Sequence, residues 1–198
     1  KLKKLIDKDS IGSIRYIYSN RRSFGKVRSD ENVLWSFAPH DISMVLSLID
    51  AMPVRVKANS FNFLDQKNED MVDVNLYFNN NVSANISVSW VHPFKDHCLT
   101  VMGSNGSLVF NDTNDWDKKL LLFKNTIIKN QNNVELIKKD EEYIKIDKEE
   151  PLKEECKHFI SIIKDTDLIA RTDGEEGLRV MNVLKLAEKS IQNNFKEK

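Results

Sequence analysis

VDVNLYFNNNVSANISVSW, residues 72–90, decides the fold of this chain. Val72, Val74, Leu76 and Phe78 alternate with Asp73, Asn75 and Tyr77. Val82, Ala84, Ile86, Val88 and Trp90 then alternate with Ser83, Asn85, Ser87 and Ser89. Apolar residues at every second position give each run one apolar face, and the second run has a small polar face opposite. Asn79, Asn80 and Asn81 form the turn, so the two runs predict an antiparallel hairpin.

Outward from the hairpin, residues 14–19 and 54–59 read as two more strands. CLTVMGSNGSLVFN, residues 98–111, reads as strand, tight turn, strand, with Gly103 and Gly106 expected to supply positive backbone angles. Residues 120–123 and 143–146 are expected to add edge strands. Residues 125–142, NTIIKNQNNVELIKKDEE, read as a polar surface excursion. Helical spacing appears in KLKKLIDKD at residues 1–9, and again in Ile42, Val45, Leu46 and Ile49, where Asp50 to Pro53 ends the run. A third stripe, Leu152, Cys156, Phe159, Ile160 and Ile163, opens on Glu149, Glu150 and Pro151, a favourable first turn. The last helix is expected over about residues 174–193, with Leu178, Met181, Leu184, Ala187 and Ile191 inward. Thr172 with Glu175, or Asp173 with Glu176, offers it a capping box.

Strands outnumber helices and run as adjacent pairs. The expected class is α+β, one domain over residues 1–198, with an open, mainly antiparallel sheet and helices on one face. The other face, with its serine and asparagine rows, stays open. Such a face predicts a homo-oligomer.

Hydrophobic residues make up 40% of the chain and charged residues 30%, as in a globular protein with a real core. Thirty basic and thirty acidic residues cancel, which argues against a nucleic-acid-coating protein or a polybasic membrane protein. No run approaches the roughly 20 apolar residues of a membrane span. Cys98 and Cys156 are the only cysteines, so a disulfide framework is not expected and a cytoplasmic protein is. A chain that opens inside a helix also suggests that more sequence precedes it.

Chemistry concentrates in residues 19–43, SNRRSFGKVRSDENVLWSFAPHDIS. His40 follows a proline at the expected entry to a helix, and its imidazole is suited to proton transfer near neutral pH. Arg21, Arg22, Lys26 and Arg28 are the groups that grip a phosphate or carboxylate, though a basic run is more often a solvated loop. Trp35 can stack on a ring or belong to the core. Asp41 reads as a first-turn acid or cap. His92 and His97 have the spacing of half a metal site, but no second ligand pair accompanies them. His158 reads as structural. There is no GxSxG, CxxC, HExxH or P-loop, and residues 103–106 are too short for a dinucleotide loop.

In order, IGSIRYI, APHDIS, LTVMGSNGSLVFND, EPLKEECKHFISII and TDGEEGLRVMNVLKLAEKSI resemble the C-terminal domain of the Gfo/Idh/MocA oxidoreductases. The segment SNRRSFGKVRSDENVLWSFAPHD is similar to the subgroup acting on nucleotide-linked sugars, such as the UDP-N-acetylglucosamine and UDP-N-acetylglucosaminuronate 3-dehydrogenases. The resemblance implies an N-terminal Rossmann domain, outside this chain, that holds NAD and carries the family's E-K-P lysine. It implies a catalytic role for His40 in proton transfer at the oxidised sugar hydroxyl. Arg21 and Arg28 would face a sugar carboxylate or diphosphate, with Asn20, Asn32 and Trp35 completing the substrate-binding set. The chain would be the substrate-binding half of an NAD(P)-dependent sugar dehydrogenase, inactive alone. The family's D-x-G-x-H arrangement is altered: Ser36 stands in place of the aspartate and Ala38 in place of the glycine. This change disfavours an aldose- or inositol-type site. The rival expectations are a dehydrogenase for a free sugar or cyclitol, and a non-catalytic sugar- or protein-binding module.

Overall fold

The computed structural model describes residues 1–64, 68–129, 133–165 and 167–196. Its elements run α1 (Leu2–Asp7), β1 (Ile14–Phe24), α2 (Val33–Ile49), β2 (Arg55–Phe61), β3 (Met71–Tyr77), β4 (Ser83–Ser89), β5 (Val91–Gly103), β6 (Ser107–Asn111), β7 (Leu120–Phe123), β8 (Thr126–Lys129), β9 (Val134–Ile137), β10 (Glu141–Tyr143), α3 (Pro151–Lys164) and α4 (Gly174–Lys196). The hairpin of β3 and β4 forms in antiparallel register, with Val74 opposite Ile86. Its connection is the three asparagines, and Asn80 and Asn81 take positive φ. Asparagine tolerates that conformation better than most residues.

Eight strands make one sheet in the order β10-β7-β6-β5-β1-β4-β3-β2. Every pairing in it is antiparallel except β1 with β4. The class is α+β, as expected. The excursion at 125–142 is more ordered than its polarity suggests, because β8 and β9 pair as a separate hairpin. The last edge strand lies at 141–143 rather than 143–146.

Helices α2 and α4 cover one face. Val72, Val74, Leu76, Ala84, Ile86 and Val88 are buried there against Leu34, Ala38, Ile42 and Val45 of α2. Full burial of one such aliphatic side chain stabilises by about 1.5–3 kcal/mol. Trp90 is buried and meets Phe37 edge-on, with ring centroids 6.4 Å apart. In α4 the buried positions are Val180, Val183, Leu184, Ala187 and Ile191, whereas Leu178 and Met181 are exposed. The expected phase is therefore correct only for the last three turns. The apolar stripe of α3 exists, but none of its residues is buried.

Gly103 and Gly106 are not the positive-φ residues expected of them; the glycine with positive φ is Gly12. The strand-turn-strand needs them for close approach. A Cβ on Gly103 would lie 2.1 Å from the Ile11 carbonyl oxygen, and one on Gly106 2.6 Å from that of Phe123. The segment entering β1 docks there, with the Asn105 and Ser104 amides donating to the Ile11 and Ser13 carbonyls at 2.9 and 3.0 Å. Gly103→Ala is expected to destabilise the chain by about 1–3 kcal/mol, read as a fall in Tm of roughly 2–12 °C. An unchanged Tm would mean that the Ile11 segment shifts freely.

Candidate active site

Strand β1 runs five residues beyond its expected end, through Asn20, Arg21 and Arg22 to Phe24. Alternation along it splits the basic run between two faces. Ser19 and Arg21 face α2. Asn20 and Arg22 face the open side, where Asn20 Nδ2 donates to Asp96 at 2.8 Å. Arg22 donates to the Tyr18 hydroxyl at 2.6 Å and to Asn20 Oδ1 at 2.5 Å.

Helix α2 also starts earlier than expected. Asn32 is its N-cap: Oδ1 accepts from the Trp35 amide at 3.1 Å, and Nδ2 donates to Glu69 at 2.8 Å. His40 is therefore two turns inside the helix rather than at its entry, and Pro39 lies in the helix interior. A proline there removes an amide donor and costs about 3 kcal/mol. The helix ends at Asp50 as expected, but its start lies earlier than Pro39 suggests, at the Asn32 cap.

The imidazole of His40 is exposed on α2 and makes no hydrogen bond among the described residues. Ser36, one turn earlier, replaces the expected acid partner. Asp41 points the other way. It is neither a cap nor a first-turn acid, but the one charged residue in the buried stripe of α2, with 1% of its surface exposed. Its Oδ1 accepts from the Ser19 hydroxyl at 2.5 Å, and its Oδ2 from Arg21 Nε at 2.6 Å. A charge among Ala38, Ile42 and Val45 was the sequence signal of this pair, visible once the helix is started at its true cap.

The pair borders a cavity of about 60 Å³ that His97, Cys98 and Asp112 also line. His97 stands opposite Arg21 in the β1–β5 register. Burial, then the positive charges of Arg21 and Lys95, hold its pKa below the ordinary 6.5, against weaker upward pulls from Asp112 and Asp41. Burial pushes the Cys98 thiol up. A histidine whose folded pKa is depressed binds fewer protons than in the unfolded chain. Its contribution is complete above the unfolded value and is lost as pH falls from about 6.5 toward the folded value. Chemical denaturation should thus show stability falling between pH 7 and 5, with a shallower slope in His97→Gln. Equal slopes would remove His97 from the account.

The remaining candidates are placed as follows. Arg28 pairs with Glu31 at 2.7 Å on the loop before α2, and Lys26 is exposed on the same loop. That loop is held from behind by Asn68, whose Nδ2 donates to the carbonyls of Ser29 and Glu31. Trp35 Nε1 donates to Glu188 of α4 at 3.4 Å. Among Asn20, Arg21, Arg28, Asn32, Trp35 and His40, only Arg28 and His40 are exposed. His92 packs on Phe94 and does not join His97. A groove of about 510 Å³ begins at Ser43, one turn beyond His40. It runs past Ser47 and Asp50 between Lys3, Arg171 and Arg179.

A model of the GFO/IDH/MocA C-terminal domain matches residues 1–109. The chain belongs to this family. UDP-N-acetylglucosamine 3-dehydrogenase GnnA from Acidithiobacillus ferrooxidans is similar at 21% identity and a TM-score of 0.76, over 96% of this chain and 58% of that one. An NAD-binding protein from Listeria innocua is similar at 17% identity and a TM-score of 0.75, over 98% and 61%. A Sinorhizobium meliloti 1021 protein assigned as a myo-inositol dehydrogenase is similar at 20% identity and a TM-score of 0.72, over 97% and 59%. At these identities the likeness is one of fold. The chain spans about three fifths of the length of these structures. No curated protein sequence matches it. Among the described residues no helix is long and apolar enough to cross a membrane.

Proposed function

We propose that this family domain is the substrate-binding part of a nicotinamide-dependent oxidoreductase that oxidises a hydroxyl of a nucleotide-linked sugar by hydride transfer. His40 is its proton-handling group. The observation that carries the reading is the division of labour on α2: the His40 imidazole is exposed and unpaired, while the next residue anchors the helix beneath it. An imidazole so placed accepts the proton of a hydroxyl as its carbon is oxidised.

The described residues do not form a dinucleotide cradle. Diphosphates are seated by glycine-rich turns at helix N-termini. Here α2 is entered through Asp30 and Glu31, α3 through Glu149 and Glu150, and α4 through Asp173, with Glu175 and Glu176 in its first turn. These acids repel a diphosphate. The nicotinamide cofactor, NAD or its phosphorylated form, is accordingly assigned to a domain outside this chain.

The substrate's anionic part is assigned to Lys26 and Arg28, on the braced loop before α2. One observation favours a second reading, a free sugar or cyclitol as substrate: Arg21 and Arg28 are each matched by a carboxylate. A screen of nicotinamide reduction with nucleotide-linked and free sugars, using the enzyme completed by its cofactor domain, separates the two. The nucleotide-linked sugar is expected to show a kcat/KM at least about tenfold higher, with the difference removed in Lys26→Ala/Arg28→Ala. Equal values would move the assignment to free sugars, and no turnover with any sugar would favour a non-catalytic module. We assign homo-oligomerisation to the open sheet face, where Met102, more than a third exposed, stands opposite Tyr16, and Phe61, likewise exposed, lies on the edge strand β2.

A further inference from the structure

We propose that Asp41, held by Arg21 and Ser19, is a positioning residue: it fixes the turn of α2 that carries His40 at the point where Pro39 interrupts the helix's own hydrogen bonding. The inference rests on the reading of His40 as the proton-handling group.

Three observations converge on it. Pro39 has no amide hydrogen, so the Trp35 carbonyl lacks its partner one turn on, immediately before His40. A helix with a missing rung can bend or rotate there, and His40 would swing with it. The next residue, Asp41, spends both carboxylate oxygens on β1, one on Ser19 and one on Arg21. Those residues are two apart on one face of a central strand, so the two bonds fix the rotation of the helix as well as its distance from the sheet. Finally, Asp41 is the only charged residue in the buried stripe of α2, where an aliphatic side chain would pack without needing a counter-charge. A buried ion pair is weak evidence for stability and better evidence for a specified geometry. Asp41 faces away from the imidazole, and its action on His40 passes through the backbone of a single turn.

The test is backbone amide hydrogen exchange on the 198-residue chain, comparing Asp41→Asn, Pro39→Ala and the double variant with the parent. Asp41→Asn is expected to speed exchange at the amides of residues 40–43 by about tenfold beyond any rise at the amides of β3 and β4. In the Pro39→Ala background, where the rung is restored, that excess is expected to be about threefold or less. An equal effect in both backgrounds, or a uniform rise across the sheet, would overturn the proposal, because a merely structural carboxylate acts everywhere and ignores Pro39. If Asp41→Asn does not fold, Ser19→Ala takes its place, since it removes one bond and leaves the ion pair. In the completed enzyme, Asp41→Asn should lower kcat about tenfold with KM within about twofold, and Pro39→Ala should partly rescue it. Normal turnover by His40→Ala would sink the reading of His40 while leaving the exchange result standing, so the two failures are distinct.

Discussion

His40→Ala is expected to lower turnover of the completed enzyme by about 10²–10⁴-fold, the usual contribution of a positioned acid–base group, while leaving the Michaelis constant for the cofactor nearly unchanged. The size follows from how little else among the described residues can take over. Among the described residues no metal-binding cluster of three or more histidine, cysteine or acidic side chains is present. The nearest carboxylate in sequence, Asp41, is buried and committed to Arg21. His97 lies under the helix beside that pair, and its lowered pKa comes from burial and the neighbouring cations. The separation of KM from kcat matters because a substitution on the exposed side of α2 removes no core contact, so lost activity cannot be ascribed to lost folding. Turnover within about twofold of the parent would remove His40 from the chemistry.

The second large effect concerns stability. Arg21→Ala leaves the Asp41 carboxylate, 1% exposed, with the Ser19 hydroxyl as its remaining partner. Breaking a buried pair by removing one member costs about 3–5 kcal/mol, because the surviving charge has neither water nor counter-ion. For a domain of this size that is a fall in Tm of roughly 6–20 °C. Replacing both members, as Arg21→Met with Asp41→Leu, should be near neutral for stability, since no unpaired charge remains. The contrast separates two roles for Arg21. If it grips a substrate anion, Arg21→Ala raises the substrate KM at an unchanged Tm. The observed pairing predicts the opposite, a large loss of Tm and little specific effect on KM.

How much of this was legible in the sequence depends on which physical signal each element carried. The hairpin of β3 and β4 was readable because period-two alternation needs no tertiary information. Strand β1 was cut short because Arg21 and Arg22 look like loop residues. They belong in a strand only because Asp41 neutralises one across the sheet-helix interface, while Tyr18 and Asn20 accept from the other on the open face. The expected strand opens at Cys98, whereas β5 begins at Val91 and takes in His92, Pro93 and Asp96. The register of β1 against β5 shifts between Arg22 and Phe24, opposite Asp96 and Val91, so this stretch bulges out of the ladder and a proline is tolerated. In α4 the expected and observed stripes share Leu184, Ala187 and Ile191, and only packing decides the phase of the first turns.

The site was legible as a segment but not as a geometry. Residues 19–43 include the exposed imidazole of His40. The same stretch reads as a uniform basic loop until strand pairing turns Arg22 to the far side of the sheet from Arg21. The carboxylates that answer Arg21 and Arg28 are both within the stretch as well, at Asp41 and Glu31. Asn32 illustrates the limit: as a residue type it suits a sugar hydroxyl, and in the fold its side chain is occupied in capping α2 and bonding Glu69.

The decisive measurement is nicotinamide reduction by the enzyme completed by its cofactor-binding domain, with a nucleotide-linked sugar as substrate, for the parent and His40→Ala side by side. Reduction is expected to require the sugar, to yield an oxidised hydroxyl on it, and to fall by at least about a hundredfold in the variant. Reduction that proceeds equally without His40, or a sugar that binds at this domain and is never oxidised, would contradict the proposed function.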